Sequence, residues 1–197
     1  MKSLQYTLKG EIEEIKDTYH GIPIFRKYIN INRSKNELAI VKKLLHCPCP
    51  HCVHIYDVHE EGINTYVDME ILDTKRDLQS EKEKIYNDIR MGLEELHLQQ
   101  VVYIDLKDDN IGFSEKDKVW KLFDFDASGI SDAYFEKWLI EPPHYYAYKN
   151  VIKQYYQLEE TIDHFPVEKY VIPNLLLFDK IVYDDFIHEL NTNSKNE

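Results

Sequence analysis

Asp105, Lys107 and Asn110 follow one another within six residues, and a further aspartate stands fourteen positions on at Asp124. The apolar run 101–104 delivers the chain to Asp105. A short apolar stretch (111–113), a charged turn (114–118) and a second stretch (119–123) then lead to Asp124-Phe125-Asp126. The pattern predicts a hairpin, with Asp105 and Asn110 on the connection that enters it and Asp124 on the one that leaves. These are the side chains that phosphoryl transfer requires. One aspartate can orient an attacking hydroxyl and accept its proton. An asparagine and a second aspartate can offer oxygens to Mg2+, which offsets phosphate charge.

In order and spacing, Asp105-Leu106-Lys107-Asp108-Asp109-Asn110 resembles the catalytic loop H-R-D-L-K-x-x-N of eukaryotic-type protein kinases. Asp124-Phe125-Asp126 resembles their D-F-G, and the intervening hairpin suits the gap between the two motifs. The resemblance implies an α+β, two-lobed protein kinase-like fold, with a small antiparallel-sheet N-lobe (1–72) and a reduced helical C-lobe (73–197) in a single domain. It implies ATP and Mg2+ as cofactors. It also implies roles: Asp105 as the base, Lys107 at the γ-phosphate, and Asn110 and Asp124 as metal ligands. A lysine at 107 is more like Ser/Thr kinases than like kinases of small molecules.

Other elements must position these groups. Residues 4–8 and 11–15 alternate as strands around a turn at Lys9-Gly10, with a second turn at 17–21 and a third strand over 23–29. In that strand Ile24-Phe25-Arg26-Lys27 resembles V-A-I-K, which makes Lys27 the phosphate-holding lysine. The apolar positions 38, 40, 41, 44 and 45 predict a helix over 36–45, with Glu37 placed to pair Lys27. Met69 falls at the gatekeeper position, and Glu70-Ile71-Leu72 at the hinge that reads adenine through its backbone. Positions 85, 86, 89, 93 and 96 predict a helix over 85–98 beneath the catalytic loop. Helices are also expected over 145–158 and 175–190.

Several features depart from the family. There is no G-x-G-x-x-G. Ile104 replaces the Arg of H-R-D, which removes the grip on a phosphorylated loop, and Tyr103 replaces its His. Asp126 replaces the Gly of D-F-G. No D-x-W-x-x-G follows, and the resemblance fades beyond residue 129. Phe25 takes a small-residue position over adenine, while Gly112 takes the place of the leucine beneath it. This predicts a compensating swap in which Phe25→Ala rescues Gly112→Leu.

Composition narrows the partners. Of the net charge of −12, residues 73–197 carry −11 and residues 1–72 carry −1. So acidic a second half disfavours nucleic acid, and it either serves solubility or attracts basic acceptors. No segment has the length and apolarity of a membrane span or a secretory signal, so an intracellular, cytoplasmic protein acting away from membranes is expected. The acceptor is a protein or a small molecule. The alternatives are a binding or scaffold module without turnover, and a small-substrate kinase or ATPase. The Cys47, Cys49, Cys52 cluster, with its neighbouring histidines, lacks a second ligand pair. It is expected to be a loop leading into a strand, with Cys52 buried and without zinc.

Overall fold

A computed structural model describes residues 3–6, 12–15, 17–30, 34–61, 64–143, 145–159 and 167–192. The turn expected at Lys9-Gly10 lies outside them. The alternating N-terminal residues form β1 (Ser3–Tyr6) and β2 (Ile12–Ile15), antiparallel with Ser3 opposite Ile15. A minimal hairpin follows, β3 (Thr18–Tyr19) and β4 (Ile22–Pro23). Its two-residue turn, His20-Gly21, has φ of +48° and +81°. Turns of this hand match the twist of the flanking strands.

The sheet that matters for the cleft has the order β5-β7-β6, all antiparallel, from β5 (Phe25–Ile29), β6 (Ile55–Glu61) and β7 (Asn64–Met69). Lys27 stands opposite Val67, and Phe25 opposite Met69. The N-terminal strands thus divide among three small sheets. Pro23 closes β4 because it has no backbone N–H to extend a ladder. Between β5 and β6 runs α1 (Lys35–His46), which buries Ile40, Val41 and Leu44 from the predicted apolar stripe.

Helices dominate the second half. The helix α2 (Lys82–Leu98) buries Ile85, Ile89, Leu93 and Leu96 of the predicted face and leaves Tyr86 half-buried. The short β8 (Val101–Val102) leads into the Asp105 loop. The expected hairpin is β9 (Ile111–Ser114) with β10 (Val119–Leu122), and Gly112 opposes Lys121. Then β11 (Gly129–Ser131) pairs with both β8 and β12 (Trp138–Ile140). The last helices are α3 (Tyr145–Tyr156) and α4 (Leu176–Thr192), the latter a single helix.

One buried apolar cluster runs through both halves, from Ile29, Ile40 and Val67 through Leu93 and Trp120 to Phe186 and Leu190. A second cluster gathers Val102, Ile104, Tyr148, Val151 and Phe178. Val182 packs against both. The architecture is α+β, antiparallel sheets first and helices after, as expected.

Candidate active site

The β5 sheet, α1 and the exit of β10 meet at one ammonium group. Lys27 Nζ donates to Glu37 Oε1 at 2.5 Å and to Asp124 Oδ1 at 2.7 Å. Burial opposes the charge on Lys27, yet the two carboxylates outweigh it and hold the ammonium above the ordinary lysine value. Glu37 is 3% exposed. Burial raises its carboxyl above the usual range; Lys27 pulls it down, and Asp124 and Asp126 push it further up.

The neighbouring loop is built around Asp105. Asn110 Nδ2 donates to its backbone oxygen and to its Oδ2, both at 2.8 Å. Lys107 Nζ reaches the same Oδ2 at 2.8 Å. Burial opposes the Lys107 charge, but the Asp105 carboxylate holds it raised, with help from Asp124 and Asp126. Two donors therefore fix one oxygen of Asp105, and Oδ1 is the oxygen turned to other work. Asn110 uses its amide nitrogen on Asp105, which leaves its amide oxygen for a cation.

Two buried side chains brace the aspartates from behind. Tyr103 is fully buried, and its hydroxyl donates to the backbone oxygen of Phe123, one residue before Asp124. Its ring packs edge-on to Phe125, with centroids 5.8 Å apart. Asp179, on α4, accepts from the backbone N–H of Tyr103 at 2.9 Å and of Ile104 at 2.6 Å. It also meets His97 Nε2 at 2.7 Å. Ile104 has φ +72° and Asp124 φ +61°. Both lie in the left-handed region, where side-chain-bearing residues are uncommon and a β-branched one is strained. Asp179 pins the first of these two turns.

A family model described as the protein kinase domain matches residues 22–180. The chain belongs to the protein kinase family. The rice (Oryza sativa) serine/threonine protein kinases OSK3 and OSK4 are 30% identical over 157 residues, which is 71% of this chain and 30% of theirs. A rice calcium and calcium/calmodulin-dependent serine/threonine-protein kinase is 30% identical over 128 residues, 57% of this chain and 25% of that one. A Medicago truncatula relative of the same description, DMI-3, is 28% identical over 127 residues, 57% of this chain and 24% of that one. The chain thus matches under a third of the length of these relatives. The family match carries on well beyond residue 129, where the motifs fade, and takes in the start of α4 and Asp179.

The kinase motifs fall in this geometry as follows. Lys27, Glu37 and Asp124 converge, and so do Asp105, Lys107 and Asn110. Met69 is 7% exposed and ends β7 opposite Phe25. Ile71 is exposed, whereas the Glu70 carboxylate is taken up elsewhere. It accepts from buried Lys121 at 2.6 Å, from Ser114 Oγ at 3.0 Å and from the His54 N–H at 2.7 Å. Its backbone N–H donates to the His54 oxygen at 2.9 Å, so only the backbone oxygen of Glu70 is left to face a ligand.

Gly112 has a neighbour that the motif alignment does not show. A Cβ there would stand 2.7 Å from the Leu72 Cβ. Leu72, in the hinge, fills the space of the missing leucine. Leu72 thus stands beside Phe25 as a second residue that can compensate Gly112.

Two supporting residues escaped sequence reasoning. Asp179 sits without a tryptophan or glycine signature, and its only mark is an acid directly after the apolar run Leu175-Leu176-Leu177-Phe178. Asn36 is buried, and its Nδ2 donates to the backbone oxygens of Asp126 at 3.0 Å and Ser128 at 2.5 Å. It ties α1 to the loop after Asp124. Among the described residues, no helix is long and apolar enough to cross a membrane.

Proposed function

We propose that the chain is an ATP- and Mg2+-dependent Ser/Thr-type protein phosphotransferase in which Asp105 is the base. The observation that carries this is the convergence of Lys27 on both Glu37 and Asp124. A half-buried cation between a helix acid and a metal-competent acid does little for stability on its own, but it preorganises a phosphate site. The donor set fits the cofactor: Lys27 offers a fixed positive charge, and Asp124 and Asn110 offer the hard oxygens that Mg2+ prefers. When bound, ATP with Mg2+ supplies the transferable γ-phosphoryl group and offsets its developing charge.

The protein's own residues do the rest. Lys27 holds the phosphate chain, with its ammonium aimed by Glu37. Asp105 would present Oδ1 to the acceptor hydroxyl and accept its proton. Lys107 neutralises charge beside that oxygen, and Asn110 keeps the loop closed over it. The relatives' description as serine/threonine kinases and the acidic second half favour a basic protein acceptor. Location inside the cell and independence of nucleic acid belong to the same reading.

The test is transfer of label from γ-labelled ATP with Mg2+ to a panel of basic protein acceptors, beside Asp105→Asn. Label that reaches acceptors in the parent and not in the variant supports the assignment. Nucleotide binding without any transfer would instead make the chain a binding module, a reading favoured by Leu72 closing the floor at Gly112.

A further inference from the structure

A second cluster of reactive groups lies away from the cleft, where the turn after α1 meets α2. We propose that Cys49, Cys52 and Glu95 bind a zinc ion. The sequence alone gave this cysteine cluster no further ligand, but the fold brings one from α2. The two sulfurs and a carboxylate oxygen of Glu95 all lie within 4.8 Å of one another. Both cysteines are buried free thiols, while Cys47 is exposed. The Cys52 N–H donates to the Cys49 backbone oxygen at 3.0 Å, so a tight turn sets the C-x2-C pair side by side.

The surroundings orient these ligands. Glu95 accepts from the His51 N–H at 2.9 Å through Oε2 and meets His51 Nδ1 at 2.8 Å through Oε1. Each carboxylate oxygen keeps a lone pair for a metal. Gln99, one turn further along, donates to Cys49 Sγ at 3.0 Å. Outer contacts of this kind fix ligand orientation in metal sites. Gly92, one turn before Glu95, makes the approach possible. A Cβ there would stand 2.9 Å from the His51 backbone oxygen.

The ligand chemistry selects the ion. Two thiolates and one carboxylate suit zinc and not Mg2+. Bonds of about 2.0–2.3 Å put tetrahedral ligands about 3.4–3.8 Å apart. A modest contraction of the triangle reaches that, and water completes the fourth position. Binding releases the two thiol protons to solvent. The ion would brace the catalytic hairpin, because Leu122 N–H donates to the His51 oxygen at 2.9 Å and Val53 N–H to the Leu122 oxygen at 2.8 Å. Asp124 follows two residues later.

The experiment is titration of the full, reduced, metal-stripped chain with Zn2+ in competition with a chromophoric chelator, and with Co2+ as a spectroscopic probe. One equivalent should bind, with thiolate-to-cobalt charge-transfer absorption, which an oxygen-lined site at Asp124 cannot give. Melting temperature should rise with zinc. Cys49→Ser should abolish the absorption, Glu95→Gln should weaken binding, and Cys47→Ser should change nothing. Absence of thiolate absorption in the parent chain overturns the proposal, as does a site lost with Cys47 and kept without Cys49. Should buried Cys52→Ser fail to fold, Cys49→Ser and the parent spectrum still decide.

Discussion

At the scale of single residues, the catalytic loop depends on a carboxylate seventy-odd positions away. Asp179 accepts two adjacent backbone N–H groups, one of them from a residue with left-handed backbone. An amide has one acceptor oxygen where a carboxylate has two. Asp179→Asn should therefore leave a buried N–H of Tyr103 or Ile104 unpaired, at about 1–3 kcal/mol. Melting temperature should fall and turnover should drop further than nucleotide affinity. A variant as stable and as active as the parent would remove Asp179 from the machinery. Asp105→Asn should do the reverse, keeping the fold and nucleotide affinity while lowering turnover on the order of 10²–10⁴-fold. The difference in kind explains what the sequence could show. Asp105, Asn110 and Asp124 are legible because their spacing is local and set by one hairpin. Asp179 and Asn36 act on backbone atoms far away in sequence, and hydrogen bonds to backbone leave no signature in the partner's side chain.

At the scale of elements, α1 is the part that assembles the cleft. It brings Glu37 to Lys27 and, one residue earlier, Asn36 to the loop after Asp124. Glu37 holds its proton more tightly than an ordinary glutamate, so on acidification it becomes neutral at a higher pH than usual. The Lys27 pair then breaks, and Mg2+-nucleotide affinity should fall on the acid side above the ordinary glutamate range. Glu37→Gln should give weak affinity without that acid limb, read by nucleotide-induced thermal shift across pH. An unchanged pH profile in the variant would place the titrating group elsewhere. The hinge offers a second test on the same scale. Gly112→Leu forces a side chain into the Leu72 Cβ, with overpacking at about 1–3 kcal/mol. Leu72→Ala should relieve it and Phe25→Ala should not, in a double-mutant cycle on nucleotide affinity. Rescue by Phe25→Ala would restore the swap that the motif alignment suggests. Helices and hairpins with strong periodicity could be read from the sequence; who fills whose cavity could not, because Leu72 and Gly112 meet only once the sheet and hairpin are folded together.

At the scale of the molecule, the two halves share a core instead of meeting at an interface. Residues of β5, α1 and β7 belong to the same buried cluster as Trp120 on β10 and Phe186 and Leu190 on α4. The second cluster, which holds Trp138 at its edge, is joined to the first through Val182. Two lobes with separate cores would open independently. Lobes that share one should lose their packing together, because removing either exposes the apolar surface of the other. Urea unfolding should therefore show one transition, with the same midpoint by far-UV circular dichroism and by tryptophan emission. Trp138→Phe leaves Trp120 to report the shared core, and Trp120→Phe leaves Trp138 to report the helical end. In each variant the emission midpoint should coincide with the dichroism midpoint, even though removing the fully buried Trp120 lowers both. Separated midpoints would mean that the sheet-bearing and helical halves unfold as distinct units, and that the chain is two cooperative bodies instead of one.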